Sequence, residues 1–393
     1  MSKSISFMVF LVLVGSVGIS NTTFQYVILM FLGLYFITRF SRLRIVSMSL
    51  IDCIPLLMFC GWLYGVAIAL IKGVDTENVF RHFFGMTIYL YYYAFIFSKS
   101  SNDYLYKAIV VAGLCNVIYA LFFFVVWLMS DSVVNQPAEY SYSNRFRSYY
   151  STGIMVIFPM LSCLLFTKLS GLFSYKEAMA GTYRGFWLIF VIATFAIVFT
   201  TFSKGFILAY VFLLLGMILI FIFRSFFVRK NYMSSWVIFC MICVFLGSLF
   251  IFTEVGKEVK YMYSSKELSN NARNIQRQYL IDEYSIEGAG LGARLESGYQ
   301  RDSRGYGFET TYENVIHKFG VVSFFIFASL LFPLLISIKN IICFENPFYS
   351  SISFGLMLYL IPSIGNPMLF SPMFVLMHLL AIKFLRKTKG EFL

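Results

Sequence analysis

Eight arginines are the residues of this chain best suited to chemistry: Arg81, Arg145, Arg147, Arg273, Arg277, Arg294, Arg301 and Arg304. A guanidinium is a planar, permanently charged fork that matches phosphate oxygens two at a time. Such forks beside apolar segments point to a lipid-linked phosphate or diphosphate. Loop arginines also pair with loop carboxylates or lipid headgroups, and for any single one both readings stay open. Arg145 and Arg273 favour a ligand, since each is followed closely by an aromatic or glycine-rich segment that leads into an apolar run. In "RNIQRQYL", Arg273 and Arg277 stand four apart and share one helix face, while Ile275 and Tyr279 mark another. That pattern predicts a short amphipathic helix on a membrane surface.

The stretch "FETTYENVIHKFG" (308–320) adds Glu309, Glu313 and His317 at i, i+4 and i+8. If a helix starts there, the three line one face. They either serve chemistry or cap the helix, whose positive N-terminal end favours carboxylates. The preceding "GAGLGA" holds Gly288, Gly290 and Gly292. It supplies backbone that bends sharply, either at a ligand or in a flexible turn. It lacks the strand and full spacing of a dinucleotide-binding loop. H-E-x-x-H is absent, so neither a metal nor a cofactor is expected.

The elements that must carry these residues are membrane helices. The 393-residue chain is 59% hydrophobic and 13% charged, with mean hydropathy +0.78, whereas soluble domains are about 25% charged. Runs such as "FWLIFVIATFAIVFTTF" and "FILAYVFLLLGMILIFIF" approach or reach the ~20 residues that cross a bilayer as helix. Their hydrophobicity is continuous, unlike the alternation of a membrane barrel. The expected fold is therefore all-α and polytopic, one transmembrane domain over 1–393. Twelve spans are expected, at roughly 5–20, 23–40, 51–71, 79–98, 105–128, 152–168, 186–202, 205–223, 235–253, 313–337, 349–364 and 369–385. The first is short, and a signal peptide competes with it, but no clear small-x-small cleavage site follows. Six cysteines fall in apolar spans and Cys343 at a cytoplasmic end, so no disulfide framework is implied.

Charge orients the bundle. With the N-terminus inside, seventeen Lys and Arg lie in cytoplasmic segments. The short outer loops hold five: Lys72, Arg81, Arg145, Arg147 and Lys204. The positive-inside rule selects this arrangement, with both termini cytoplasmic. The long segment 254–312, between spans nine and ten, then faces outward. Inner loops facing anionic lipid account for most of the net charge of +12, and nucleic acid need not be invoked.

Taken in order, the motifs resemble the superfamily of O-antigen polymerases and O-antigen ligases. They are an Arg in a smaller loop, the turn "TTFSKG" (200–205), "ARNIQR", "GAGLGA", and a polar residue eleven positions before the glycine of "HKFG". The match covers roughly 140–370. It implies a polytopic glycosyltransferase of the bacterial inner membrane, acting at the outer face on an undecaprenyl-diphosphate-linked oligosaccharide. Carried over residue by residue, Arg145 or Arg147 matches the Arg of the smaller catalytic loop, and Arg273 the first Arg of the large loop. Thr201, Ser203, Lys204 and Gly205 match the T-x-S-R-G turn, with Lys in place of Arg. Glu309 falls where ligases carry His, which favours the polymerase over the ligase.

The resemblance thus implies Glu309, Arg273 and Arg145 as catalytic, and Arg147, Arg277 and Lys204 on the diphosphate. Arg81, Arg294, Tyr312, Glu313, His317, Gly290 and Gly292 would support them. Membrane lipids are implied partners, and a chain-length regulator of the same pathway is admitted. Diphosphate already leaves well, so such a reaction needs one base and several cations. A ligase, which transfers glycan to lipid A-core, and a flippase of lipid-linked oligosaccharides remain the alternatives. A flippase would show internal repeats, and none is evident.

Overall fold

The computed structural model describes residues 2–18, 22–38, 48–97, 101–129, 151–172, 189, 192–197, 204–224, 267–300, 308–365, 369 and 371–386. Every regular element among them is helical. A long apolar segment in lipid has no water for its backbone polar groups and closes them onto itself as helix. In chain order the helices are α1 (Ser2–Gly18), α2 (Thr22–Thr38), α3 (Ile54–Ile71), α4 (Thr76–Met86), α5 (Tyr91–Phe97), α6 (Asn102–Met129) and α7 (Phe158–Leu172). They continue with α8 (Lys204–Arg224), α9 (Glu267–Asp282), α10 (Thr311–Phe319), α11 (Ser323–Cys343), α12 (Pro347–Met357) and α13 (Pro372–Leu385). Short 3₁₀ turns extend several of them, so that Leu50–Ile71 and Thr311–Cys343 each form one continuous rod.

Among the described residues, five helices are long and apolar enough to cross a bilayer: Leu50–Ile71, Asn102–Phe122, Gly205–Arg224, Thr311–Cys343 and Pro347–Gly365. Shorter apolar helices stand where spans one, two, four, six and twelve are expected. Span nine (235–253) lies outside the described residues, as does most of span seven (186–202). The first apolar run packs its Ile5, Val9, Val12 and Leu13 stripe into the bundle, chiefly against α6.

Helix α13 is apolar on every side and is enclosed by α11, α12 and neighbouring elements, the expected fate of a helix without a polar face. The peripheral helices keep large apolar side chains outward: Leu57 and Leu63 on α3, Leu208 and Phe212 on α8, Phe324 and Leu335 on α11. In water that surface would be a liability; in a bilayer it faces acyl chains.

Residues that the alternating spans assign to one end of the bundle do meet there. At one end Asp52, before α3, reaches Arg386, after α13. At that end, too, Lys383 donates to Asn102 at the start of α6 (3.1 Å), and Arg224 closes α8 on the carbonyl of Ile342. At the other end Lys72, after α3, meets Glu287, and Gly205 packs on Pro362.

Candidate functional site

Helix α9 is the amphipathic helix expected from "RNIQRQYL", and it stands at the second of these ends. Its inward face is Gln276 and Leu280, fully buried, while Ile275 and Tyr279 stay exposed. Arg273 and Arg277 flank the buried stripe and reach the same neighbour one turn apart. Arg273 Nε donates to Glu309 Oε2 at 2.9 Å, and Arg277 Nε to Glu313 Oε1 at 2.5 Å. All four side chains remain partly open, between 20% and 41% exposed.

Gln276 holds this arrangement together. Its Oε1 accepts from the backbone N–H of Glu309 (3.1 Å) and of Thr310 (3.4 Å). The two donors lie at the start of α10, where the first N–H groups of a helix need outside partners. Gln276 sits between the two arginines in "ARNIQR", yet an uncharged side chain inside a basic motif carried no separate signal.

Helix α10 begins at Thr311, so Glu309 lies just before it and not on its face. The expected single line of Glu309, Glu313 and His317 therefore divides. The two carboxylates turn to α9, while His317 is buried, 1% exposed, with Phe308 edge-on to its ring. Tyr312 donates to the carbonyl of Leu360 (2.6 Å), which ties α10 to the turn after α12. That turn brings Gly365 against the Arg273 guanidinium, and a Cβ on Gly365 would stand 3.8 Å from Nε. The same segment meets Gly205, the last residue of "TTFSKG": a Cβ there would lie 2.9 Å from Pro362 Cα. Residues from three of the segments expected at the outer face thus converge.

Arg145, Arg147, Arg301 and Arg304 lie outside the described residues. Lys204 opens α8 and Arg81 lies in α4, but their side chains are outside the description.

The glycine-rich segment is protein packing rather than a flexible turn. Gly290 has φ +91°, and a Cβ there would fall 2.5 Å from the backbone of Ala69. Gly292 has φ +78°, with Asn78 backbone 2.8 Å away. The segment is wedged between α3 and α10 by backbone bonds, Leu291 N to Gly65 O (2.9 Å) and Ala289 N to His317 O (2.8 Å). Lys72 clamps it from the side through Glu287 Oε1 (3.2 Å) and the Gly288 carbonyl (2.8 Å).

Among the described residues, two cavities border this region. An apolar groove of about 570 Å³ runs between α8, α11 and α12, lined by Phe212, Tyr312, Phe327, Leu331, Leu334 and Ile364. Tyr312 joins it to the ion pairs, one residue from Glu313. A polar cleft of about 480 Å³ lies beyond α9, where Arg294 and His317 form part of the wall. Glu283 borders it and accepts from the N–H groups of Glu296 (2.7 Å) and Ser297 (3.0 Å). Burial pushes the Glu283 carboxyl up, but the bonds from Ser297 and Glu296 outweigh it and hold the group below its ordinary value.

No protein-family model matches the chain, and no curated protein matches it at a significant level.

Proposed function

We propose that this chain is a twelve-span polysaccharide polymerase that extends a glycan on a polyprenyl diphosphate at the outer face of a bacterial inner membrane. The observation that carries this reading is the juxtaposition of two arginine–carboxylate pairs with an apolar groove at one end of a membrane bundle. A lipid-linked diphosphate has the same two parts, a doubly charged head and a long hydrocarbon tail. The groove matches the tail, and Arg273 and Arg277 match the head.

In the proposed reaction a hydroxyl oxygen of one lipid-linked repeat attacks the anomeric carbon of the donor glycan. The bond from that carbon to the diphosphate breaks, the diphosphate leaves with the electron pair, and the configuration inverts. Glu309 accepts the hydroxyl proton. Its present partner is Arg273, so the donor must compete for that guanidinium. The ion pair engages Nε, and the other N–H donors of the fork can turn to phosphate oxygens. Donor binding then draws Arg273 toward the diphosphate and leaves the carboxylate for the acceptor. Arg145, Arg147 and Lys204 are proposed to complete the cationic lining.

Glu309→Gln tests the reading, since the amide keeps the shape and the Gln276 contacts but removes the basicity. Chain growth should stop in cells while lipid-linked single repeats accumulate, a loss of at least ~100-fold in rate. Normal polymer from this variant would remove Glu309 from the chemistry, and normal polymer from cells lacking the chain would remove the polymerase reading. Transfer to lipid A-core in place of polymer growth would select the ligase.

A further inference from the structure

We infer that the polar cleft beyond α9 is a saccharide-binding subsite, separate from the ion-paired arginines. The inference rests on the glycan-polymerase reading for the origin of the saccharide, but not for the site itself. The cleft is formed where the α3–α4 turn faces the glycine-rich segment, with Lys72, Asp75 and Asn78 on one side and Glu283, Arg294 and Glu296 on the other. His317 forms part of the wall. Its imidazole is buried and its Nδ1 has no hydrogen-bond partner. A buried polar atom left unpaired is costly, on the order of 1–3 kcal/mol, unless something outside the protein satisfies it.

The lining selects the kind of ligand. Three carboxylates face two cations, and Lys72 is already committed to Glu287 and Gly288. An anion such as phosphate would meet more negative charge than positive. A neutral sugar presents hydroxyls that donate and accept at once, and the wall offers acceptors in Asp75 and Glu296 and donors in Arg294 and the Asn78 amide. The small residues Gly73, Ala289, Gly292 and Ala293 leave the floor open. The volume, about 480 Å³, falls within the ~300–1,000 Å³ range of small-molecule sites.

Position agrees with a glycan that extends away from its reacting bond. Glu283 follows Arg273 by ten residues, which along a helix is about 15 Å. A repeat unit held at its diphosphate by Arg273 would reach the cleft with sugars well removed from the anomeric carbon. Contacts there would grip the oligosaccharide and hold its register without touching the reaction centre.

The test is direct binding, with no turnover. The probe is the oligosaccharide that mild acid releases, free of lipid and phosphate, from the lipid-linked repeats of the producing cells. It is titrated against the full chain in lipid nanodiscs by saturation-transfer NMR. Arg294→Ala and Asn78→Ala should each weaken binding by about tenfold, the worth of one hydrogen bond to a charged or buried group. Arg273→Ala should bind as wild type. Because Arg294 is exposed, its loss should leave the fold intact, and an unchanged melting temperature checks this. Equal binding by wild type, Arg294→Ala and Asn78→Ala overturns the subsite, as does loss of binding on Arg273→Ala alone. If cells lacking the chain still make polymer while binding follows Arg294 and Asn78, the polymerase reading fails and the saccharide site stands.

Discussion

The two ends of the bundle use the same chemistry, an arginine beside a carboxylate, for opposite purposes. Asp52 is fully buried and saturated. It accepts from the N–H (2.7 Å) and hydroxyl (2.9 Å) of Ser49, from the Tyr92 hydroxyl, and from Arg386 Nε at 3.2 Å. Tyr93 takes its backbone carbonyl (2.9 Å). No ligand can enter such a cluster without dismantling it, so it acts as a clamp joining α3, α5 and the end of α13. At the other end Arg273 and Glu309 are about one-third exposed, 28% and 34%, and share one short bond. What distinguishes a clamp from a site here is whether the partners can be exchanged.

The largest effect is expected where exchange is impossible. Asp52→Ala leaves Arg386 buried, 8% exposed, without its counter-charge. Breaking a buried pair from one side costs about 3–5 kcal/mol. The folded protein recovered in detergent should fall sharply, with a large drop in melting temperature. A variant that melts like the wild type would show that the Asp52 cluster is not a clamp, and the comparison would collapse.

Little of this contrast was legible in the chain. Continuous apolar runs identified an all-helical membrane protein, and the four-residue spacing of Arg273 and Arg277 placed both beside the buried face of one helix. The pairing itself joins residues 36 apart through loop geometry, which no helical period encodes. Basic residues at the opposite end were read only as orienting charge. Arg224, Lys383 and Arg386 are instead buried and hydrogen-bonded, because a polar group enclosed in the bundle needs a partner there. The glycines of "GAGLGA" read equally as ligand contact or slack. The closeness of Ala69 and Asn78, which their positive φ values accommodate, depends on two helices more than two hundred residues earlier in the chain.

The next prediction is the mirror of the first. Arg273→Ala removes an exchangeable pair, and exposed pairs contribute only about 0–1 kcal/mol. Its melting temperature should stay near that of the wild type while polymer is lost. Arg273→Lys should restore only part of the activity, since a point charge cannot reproduce the fork. If Arg273→Ala melts as early as Asp52→Ala, both ends are structural and the functional site lies elsewhere.

The smallest expected effect lies at the edge of the polar cleft and depends on pH. The Glu283 carboxylate holds the N–H groups of Glu296 and Ser297, and its folded value lies below the ordinary 4.5. A carboxyl lowered on folding contributes its stability above the unfolded value and loses it as pH falls through the folded one. The loss should therefore be confined to acid below 4.5, and it should be local, since the group is only slightly buried. Hydrogen exchange, corrected for its intrinsic pH dependence, would read it at the two amides. Their protection should hold at neutral pH and decline in that acid window, while amides of α13 stay unchanged. In Glu283→Gln the two amides should be less protected and insensitive to pH across the same window. Wild-type protection that stays level through the window would mean the carboxylate does not hold that loop, and the wall of the proposed saccharide site would lose its anchor.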